Sequence, residues 1–387
     1  MRVLQLVIGL DVGGLEDVVV NLINHLARRG VACHLGCLAG RGVWGSRCAP
    51  QGVWEGNLPA RRKCAALWSL CAYLRRNGIG LINCHNRQAF LYAVAASFLT
   101  GVPLVYTRHG REWARSRKWI WLDRALLRFT AGIVGVSSDI TDLVVRLEKI
   151  PASKVRLIRN GIDAERFVPP VRERAEIRRR LGIPEQAFVV GSVGRFSREK
   201  KYASLIRSFA RFRAGARSAA LVLVGDGPER QELARLARDA GLAECVRMPG
   251  MQDDVVPWLQ SLDVFCLSSS TEGTSISLLE ACSVGLPVLV TDVGGNPEIV
   301  RDGGTGLLAP ASDEEAFARG LARLLADGSL RRELGRAARE RVRDRYSAER
   351  MAQEYLNFYR ELAGADRGSE PGSAGAKKGL SNGPGPC

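Results

Sequence analysis

The sequence predicts an α/β protein made of two doubly wound, Rossmann-like domains facing a cleft. Three observations lead there. Short β-branched apolar runs alternate with amphipathic stretches, the pattern of parallel sheets covered by helices on both faces. The alternation restarts near residue 187, after Pro169-Pro170 and the charged stretch 171–181. The 387 residues, 46% of them hydrophobic, suffice for two full cores.

Strands are expected at 3–8, 32–38, 79–83, 104–107, 133–136 and 155–158 in the first half. A second set follows at 188–193, 220–224, 246–248, 264–267 and 288–290, with helical patterns such as 15–28 and 202–212 between strands. The expected organisation is a first domain over 1–168, a second over 169–345, and an aromatic-bearing helix over 346–362. The Gly-, Ser-, Pro- and Lys-rich tail 363–387 is expected to be disordered.

Net charge is +16, carried mostly by arginine, and reads either as solvated helix faces or as a surface for an acidic partner such as nucleotide phosphates, nucleic acid or an anionic membrane. No RNA-binding or zinc-finger motif accompanies the charge, and nucleic acid is not expected as a partner. The ten cysteines include no C-x-x-C pair, and Cys33 and Cys37 on one strand would lie roughly 13 Å apart. They read as free thiols in a reducing compartment, without a zinc site. Residues 1–8 run straight into a glycine-rich turn and form a first strand, and Gly101 and Pro103 interrupt the longest uncharged run. The expectation is a cytoplasmic protein, peripheral to a membrane at most.

The densest chemistry lies in Thr271-Glu-Gly-Thr-Ser-Ile-Ser-Leu-Leu-Glu-Ala281. Glu272 falls in a loop at the carboxyl end of a strand, where open α/β sheets bind ligands, and Glu280 falls in the helix that follows. Ser277-Leu-Leu-Glu280 also fits a capping box, which would tie Glu280 to its own helix. Gly294-Gly-Asn-Pro-Glu298 opens a second helix start suited to anions or hydroxyls. Asp253-Asp254 reads as a cap for the helix around Trp258. Arg195 and Lys200, between a strand and a helix, make a cradle for a diphosphate, or else a basic turn. Gly13-Gly14 lacks the third glycine of a dinucleotide fingerprint, but allows close approach of a ligand to the backbone. His85 and His109 follow strands and belong at the cleft edge. A segment with Arg108, Arg111, Arg115, Arg117 and Lys118 among Trp113, Trp119 and Trp121 could rest on an anionic membrane, or pack its tryptophans in the core.

The run from Glu272 to Ala281, with Gly285-Leu-Pro-Val and Val293-Gly-Gly-Asn-Pro-Glu298 behind it, resembles the signature of retaining GT-B glycosyltransferases of family 4. Gly13-Gly14-Leu-Glu16, Thr107-Arg-His-Gly110, Gly194-Arg195 with Lys200, and Val224-Gly-Asp-Gly-Pro228 extend the resemblance over nearly the whole chain except the tail. The opening further resembles sugar transferases of bacterial exopolysaccharide systems. The resemblance implies that Arg195 and Lys200 hold the donor diphosphate and that Glu280 binds the nucleotide ribose. It puts Glu272 and the amides of Gly273, Thr274 and Ser275 at the donor sugar, Gly13 and Gly14 beside the diphosphate, and His109 at the reaction centre. The co-substrate would be a UDP- or GDP-sugar and the acceptor a glycan or lipid-linked molecule, with no metal and no other cofactor. A proline common after the Glu-Gly pair is replaced here by Thr274-Ser275, and Lys201 competes with Lys200 for the phosphate role. Rival expectations are a nucleotide-sugar epimerase, a sugar-nucleotide-binding homologue without catalysis, and a basic nucleic-acid binder.

Overall fold

The computed structural model describes residues 1–56, 63–111, 117–167, 172–216 and 218–367. The first sheet holds seven parallel strands: β1 (Arg2–Val7), β2 (Ala32–Cys37), β3 (Gly52–Glu55), β4 (Leu81–Cys84), β5 (Leu104–Arg108), β6 (Gly132–Gly135) and β7 (Val155–Leu157). Their order is β3-β2-β1-β4-β5-β6-β7. The second sheet holds β8 (Val189–Val193), β9 (Ala220–Val224), β10 (Val246–Gly250), β11 (Val264–Leu267), β12 (Val288–Thr291) and β13 (Leu307–Ala309), in the order β10-β9-β8-β11-β12-β13. Every pairing in both sheets is parallel. Each order reverses at one place, between β1 and β4 and between β8 and β11. Brackets of this kind are where doubly wound sheets receive ligands.

Two strands have no counterpart in the sequence reading. In β3 only Trp54 is buried, and β13 is the three-residue apolar stretch Leu-Leu-Ala confined between Gly306 and Pro310. The Pro169-Pro170 break lies outside the described residues.

Helices cover both faces of each sheet, and the core follows from them. In the helix Gly14–Arg28, Val18, Val19, Leu22, Ile23 and Leu26 form a buried stripe. One apolar cluster runs from Val3 and Val7 through that helix to Leu278, Leu279 and Val288 of the second sheet's layer. The two domains therefore share an apolar seam.

The C-terminal helix Ala348–Arg367 returns to the first domain. Tyr355 and Tyr359 are fully buried, and Phe358 packs where Gly132 of β6 has no side chain. This helix runs five residues into the stretch expected to be disordered. Gly364 costs a helix only about 1 kcal/mol, which does not stop one so firmly packed upstream. Tail residues 368–387 lie outside the described residues. The nine cysteines among the described residues are free; all but Cys64 are buried, and burial pushes the Cys33, Cys37 and Cys282 thiols up to about 12.

Candidate active site

A cavity of about 760 Å³ opens between the domains. Its walls are the loops after β1, β4 and β5 on one side and those after β8, β9 and β11 on the other. Gly13, Gly14, His109, Arg195, Lys200, Glu272, Thr274, Ser275 and Glu280 all line it. Gly273 does not.

The second domain supplies the charged wall. Lys200 Nζ donates to Glu272 Oε1 at 2.7 Å, and Ser269 Oγ donates to the same oxygen at 2.6 Å. Burial works against the Lys200 ammonium, but Glu272, Tyr202 and Glu199 together outweigh it and the pKa is raised. Lys201 sits outside the cleft, exposed, with φ of 53°. Of the two lysines, Lys200 is therefore the one in the site. Arg195 is exposed, and its guanidinium has no ion pair or hydrogen bond among the described residues.

Glu280 sits on the helix Ile276–Val284, whose N-cap is Ser275. Ser277 is consequently the second residue of that helix and Glu280 the fifth. The capping box expected from Ser277 and Glu280 cannot form, because the helix begins two residues earlier than that pattern requires. Burial raises the Glu280 carboxyl to about 8, with the negative charge of Asp17 adding to the shift and Arg166 opposing it. Ser275 forms no side-chain cap bond, and the amides of Gly273, Thr274 and Ser275 have no acceptor among the described residues. A helix start with spare amides is an anion site.

Other residues of that loop join the domains. A Cβ on Gly273 would lie 2.2 Å from the His109 carbonyl oxygen, so only glycine admits the approach. Thr274 Oγ1 donates to Val136 O at 2.5 Å. Across the cleft, a Cβ on Gly14 would lie 3.2 Å from Ile276 Cγ1. Gly14 thus brings the first domain's helix start against the second's, while Gly13 is its N-cap on the cleft wall.

The helix start at Asn296–Ile299 does not open on the cleft as the sequence reading expects. Glu298 accepts from the Ser138 amide at 2.6 Å and from Arg159 at 2.8 Å. Its carboxylate caps the first-domain helix Ser138–Leu147, a favourable position at the positive end of a helix dipole. Asn296 donates to Thr291 O at 2.9 Å and is buried. Asp254 does cap, accepting from Val256 N at 3.2 Å, and it also pairs with Arg166 of the first domain at 3.0 Å.

On the first-domain wall, His109 and His85 meet at 3.1 Å between Nε2 and Nδ1. Burial drives the His109 pKa down to about 3 and that of His85 well below the usual value, so both rings are neutral. His34 bonds Tyr73 at 2.8 Å and His25 lies on a helix, both away from the cleft.

The basic aromatic segment divides. Arg108 is 1% exposed and pairs with Asp123 at 3.3 Å and Glu148 at 2.6 Å, so it is a core residue and not a surface one. Arg111 pairs with Asp139. Trp119 and Trp121 are exposed, against the core-packing alternative for these two, while Trp113 and Arg115 lie outside the described residues. Asp17 and Arg166, which set the charge around Glu280, escaped the sequence reading because nothing local marks them.

Two Rossmann-like domains with the ligand cleft between their strand ends define a GT-B architecture. The model for "Glycosyltransferase Family 4" matches residues 12–166 and that for "Glycosyl transferases group 1" matches 173–341. The chain belongs to this glycosyltransferase family. It is 31% identical over 309 residues to the alpha-maltose-1-phosphate synthase of Mycolicibacterium smegmatis, covering 73% of this chain and 79% of that one. It is 36% identical over 224 residues to the lipopolysaccharide core biosynthesis glycosyltransferase LpsE of Rhizobium meliloti, covering 58% of this chain and 61% of LpsE. The match thus spans about three fifths of LpsE. Anabaena Alr3699/HepE in complex with UDP-glucose has the same fold, with a TM-score of 0.84 at 21% identity over 93% of this chain and 100% of that one.

Proposed function

We propose that the protein transfers a sugar from a UDP-sugar to an acceptor with retention, in the synthesis of an exopolysaccharide or another cell-surface glycan. The observation that carries this is the charge arrangement of the cleft. It holds an unpaired Arg195, a lysine tied only to Glu272, a helix start with spare amides, and a carboxyl at Glu280 with no cap to serve. A nucleoside diphosphate offers each of them a partner. The relatives' names, and the UDP-glucose in the Anabaena protein, point the same way.

In this reading the diphosphate exchanges for Glu272 as the partner of Lys200 and draws Arg195 in. The two cations then offset the charge on the leaving phosphate, the task a metal performs elsewhere. The ribose hydroxyls donate to Glu280. Glu272, released, accepts from a hydroxyl of the donor sugar, whose other hydroxyls meet the amides after Glu272. The bond from the anomeric carbon to the phosphate oxygen breaks as the acceptor oxygen bonds on the same face, and the acceptor proton passes to the departing phosphate.

The acceptor is proposed to be lipid-linked and presented at the inner face of a membrane. Among the described residues no helix is long and apolar enough to cross a membrane. The helices Lys63–Arg76, Arg87–Thr100 and Arg117–Leu127 nevertheless expose Trp68, Phe98 and Trp121, and Phe129 follows them. Their one acidic residue, Asp123, is fully buried against Arg87 and Arg108. An apolar face with only basic neighbours suits an anionic bilayer.

The deciding test gives the purified protein UDP-glucose and other UDP-sugars, GDP-sugars as controls, and lipid-linked or glycan acceptors, with and without EDTA. NMR then reads the anomeric configuration of the product. A retained configuration, unaffected by EDTA, is expected. Conversion of the donor without an acceptor would make the protein an epimerase, and nucleotide binding without turnover would make it a binding homologue. Flotation with anionic vesicles, and none with zwitterionic ones, is the expected membrane result.

A further inference from the structure

A chain of buried polar side chains crosses the first domain from the C-terminal helix to His109. Tyr359 of that helix accepts from Asn83 Nδ2 of β4 at 2.8 Å. Asn83 Nδ2 also donates to Gln5 Oε1 of β1 at 3.1 Å, and Asn83 Oδ1 accepts from Thr107 Oγ1 of β5 at 2.9 Å. The Tyr355 hydroxyl meets Thr107 Oγ1 at 3.2 Å. Gln5 Oε1 then faces His85 Nε2 at 2.8 Å, and His85 Nδ1 faces His109 Nε2. Gln5, Asn83, Thr107, Tyr355 and Tyr359 are each fully buried.

The direction of these bonds decides the protonation of both rings. Asn83 Nδ2 also lies 3.3 Å from His85 Nε2, but its two hydrogens go to Tyr359 and Gln5 at shorter range. Gln5 Oε1, at 2.8 Å, accepts and never donates, so His85 carries its proton on Nε2 to meet it. A neutral His85 then has a bare lone pair on Nδ1, and the partner nitrogen, His109 Nε2, must donate to it. His109 is left with an unprotonated Nδ1, an atom that is buried and without a partner among the described residues. Burial, which keeps both imidazoles neutral, is what lets a hydrogen-bond chain dictate the tautomer.

We propose that Gln5, Asn83 and Tyr359 are positioning residues that act through His85 to hold His109 as its Nε2–H tautomer at the cleft wall. The C-terminal helix thus closes the first domain and also orients a ring that lines the cavity. With Nε2–H committed to His85 and Nδ1 bare, His109 has no proton to give to a ligand in the cavity. The consequence for catalysis rests on the sugar-transfer reading; the tautomer does not.

The experiment is ¹⁵N spectroscopy of ring-labelled histidine in the full chain, with signals assigned by His25→Gln and His34→Gln variants. The expected wild-type spectrum at neutral pH shows both His85 and His109 protonated at Nε2 and bare at Nδ1. A protonated Nδ1 on His109 would overturn the proposal. Tyr359→Phe removes one hydroxyl and little volume, and Gln5→Met removes the amide oxygen at similar size. Either is expected to move the His109 ring signals toward a mixture of tautomers. Either should also lower kcat roughly threefold to tenfold while the donor KM stays near its wild-type value. Unchanged His109 signals in both variants would sink the positioning role. The expected wild-type spectrum in a protein that transfers nothing would reject the functional reading while leaving the tautomer assignment standing.

Discussion

Raising the pH from about 6 to about 9 should tighten the binding of UDP-glucose, because Glu280 must lose a proton to serve the ribose. Burial and the charge of Asp17 put this carboxyl at about 8, so it is protonated across the neutral range. Two hydroxyl donors favour an ionised acceptor, and charge-assisted bonds of this kind contribute about 1.5–3 kcal/mol each. If only the ionised form binds well, each pH unit below the pKa weakens binding about tenfold. Affinity at pH ~7 should then be roughly tenfold, and at pH ~6 roughly a hundredfold, below its alkaline limit. The diphosphate diester of UDP-glucose holds a constant charge over this range, which makes it a better probe than UDP. Isothermal titration calorimetry at four pH values reads the slope directly. Glu280→Gln should bind weakly at every pH, and Asp17→Asn should move the rise to lower pH by removing a neighbouring negative charge. Stability carries the opposite sign. The folded carboxyl holds its proton from its ordinary value of 4.5 up to about 8, so wild type should lose stability over that interval relative to Glu280→Gln. A flat affinity profile in wild type, or a slope that survives in Glu280→Gln, would refute the ribose assignment.

Glu272→Gln keeps the size of the side chain but breaks its ion pair with Lys200. It should lower sugar transfer by at least tenfold while UDP affinity, by calorimetry, changes little or improves as Lys200 is released. Asp123→Ala leaves Arg108 buried with one fewer counter-charge, and denaturant titration should show a loss of about 3–5 kcal/mol. Gly273→Ala drives a methyl group into the His109 carbonyl. It should cost transfer activity through displaced domains, with a drop in melting temperature accompanying it.

Periodicity made the two sheets legible because buried parallel strands are continuous apolar runs. β3 and β13 were not: β3 has a single buried residue, and the Leu-Leu-Ala of β13 is confined between Gly306 and Pro310. The glutamate motif located the right loop, but spacing could not say which helix start it belonged to. Two residues of difference separate a capping carboxyl from a free one, and only the N-cap at Ser275 decides. Glu298 went the other way: its Gly-Asn-Pro-Glu context describes a helix start correctly and is silent about the helix across the seam that it caps.

What the sequence alone determined is what local chemistry can determine. The period of the apolar runs set the layers, glycine and proline punctuation set the turns, and the residues after strand ends marked the cleft. The tertiary structure decided every feature that depends on two distant segments sharing a volume. Arg108 and the tryptophans beside it are indistinguishable as letters in a basic aromatic segment. The fold buries the arginine against Asp123 and Glu148 and turns Trp121 outward. Likewise Gln5, Asn83 and Tyr359 are isolated polar residues in apolar stretches until the C-terminal helix lies across the strands. Burial then removes water as the alternative partner, and the charge and protonation of each group follow from the neighbours the fold has given it.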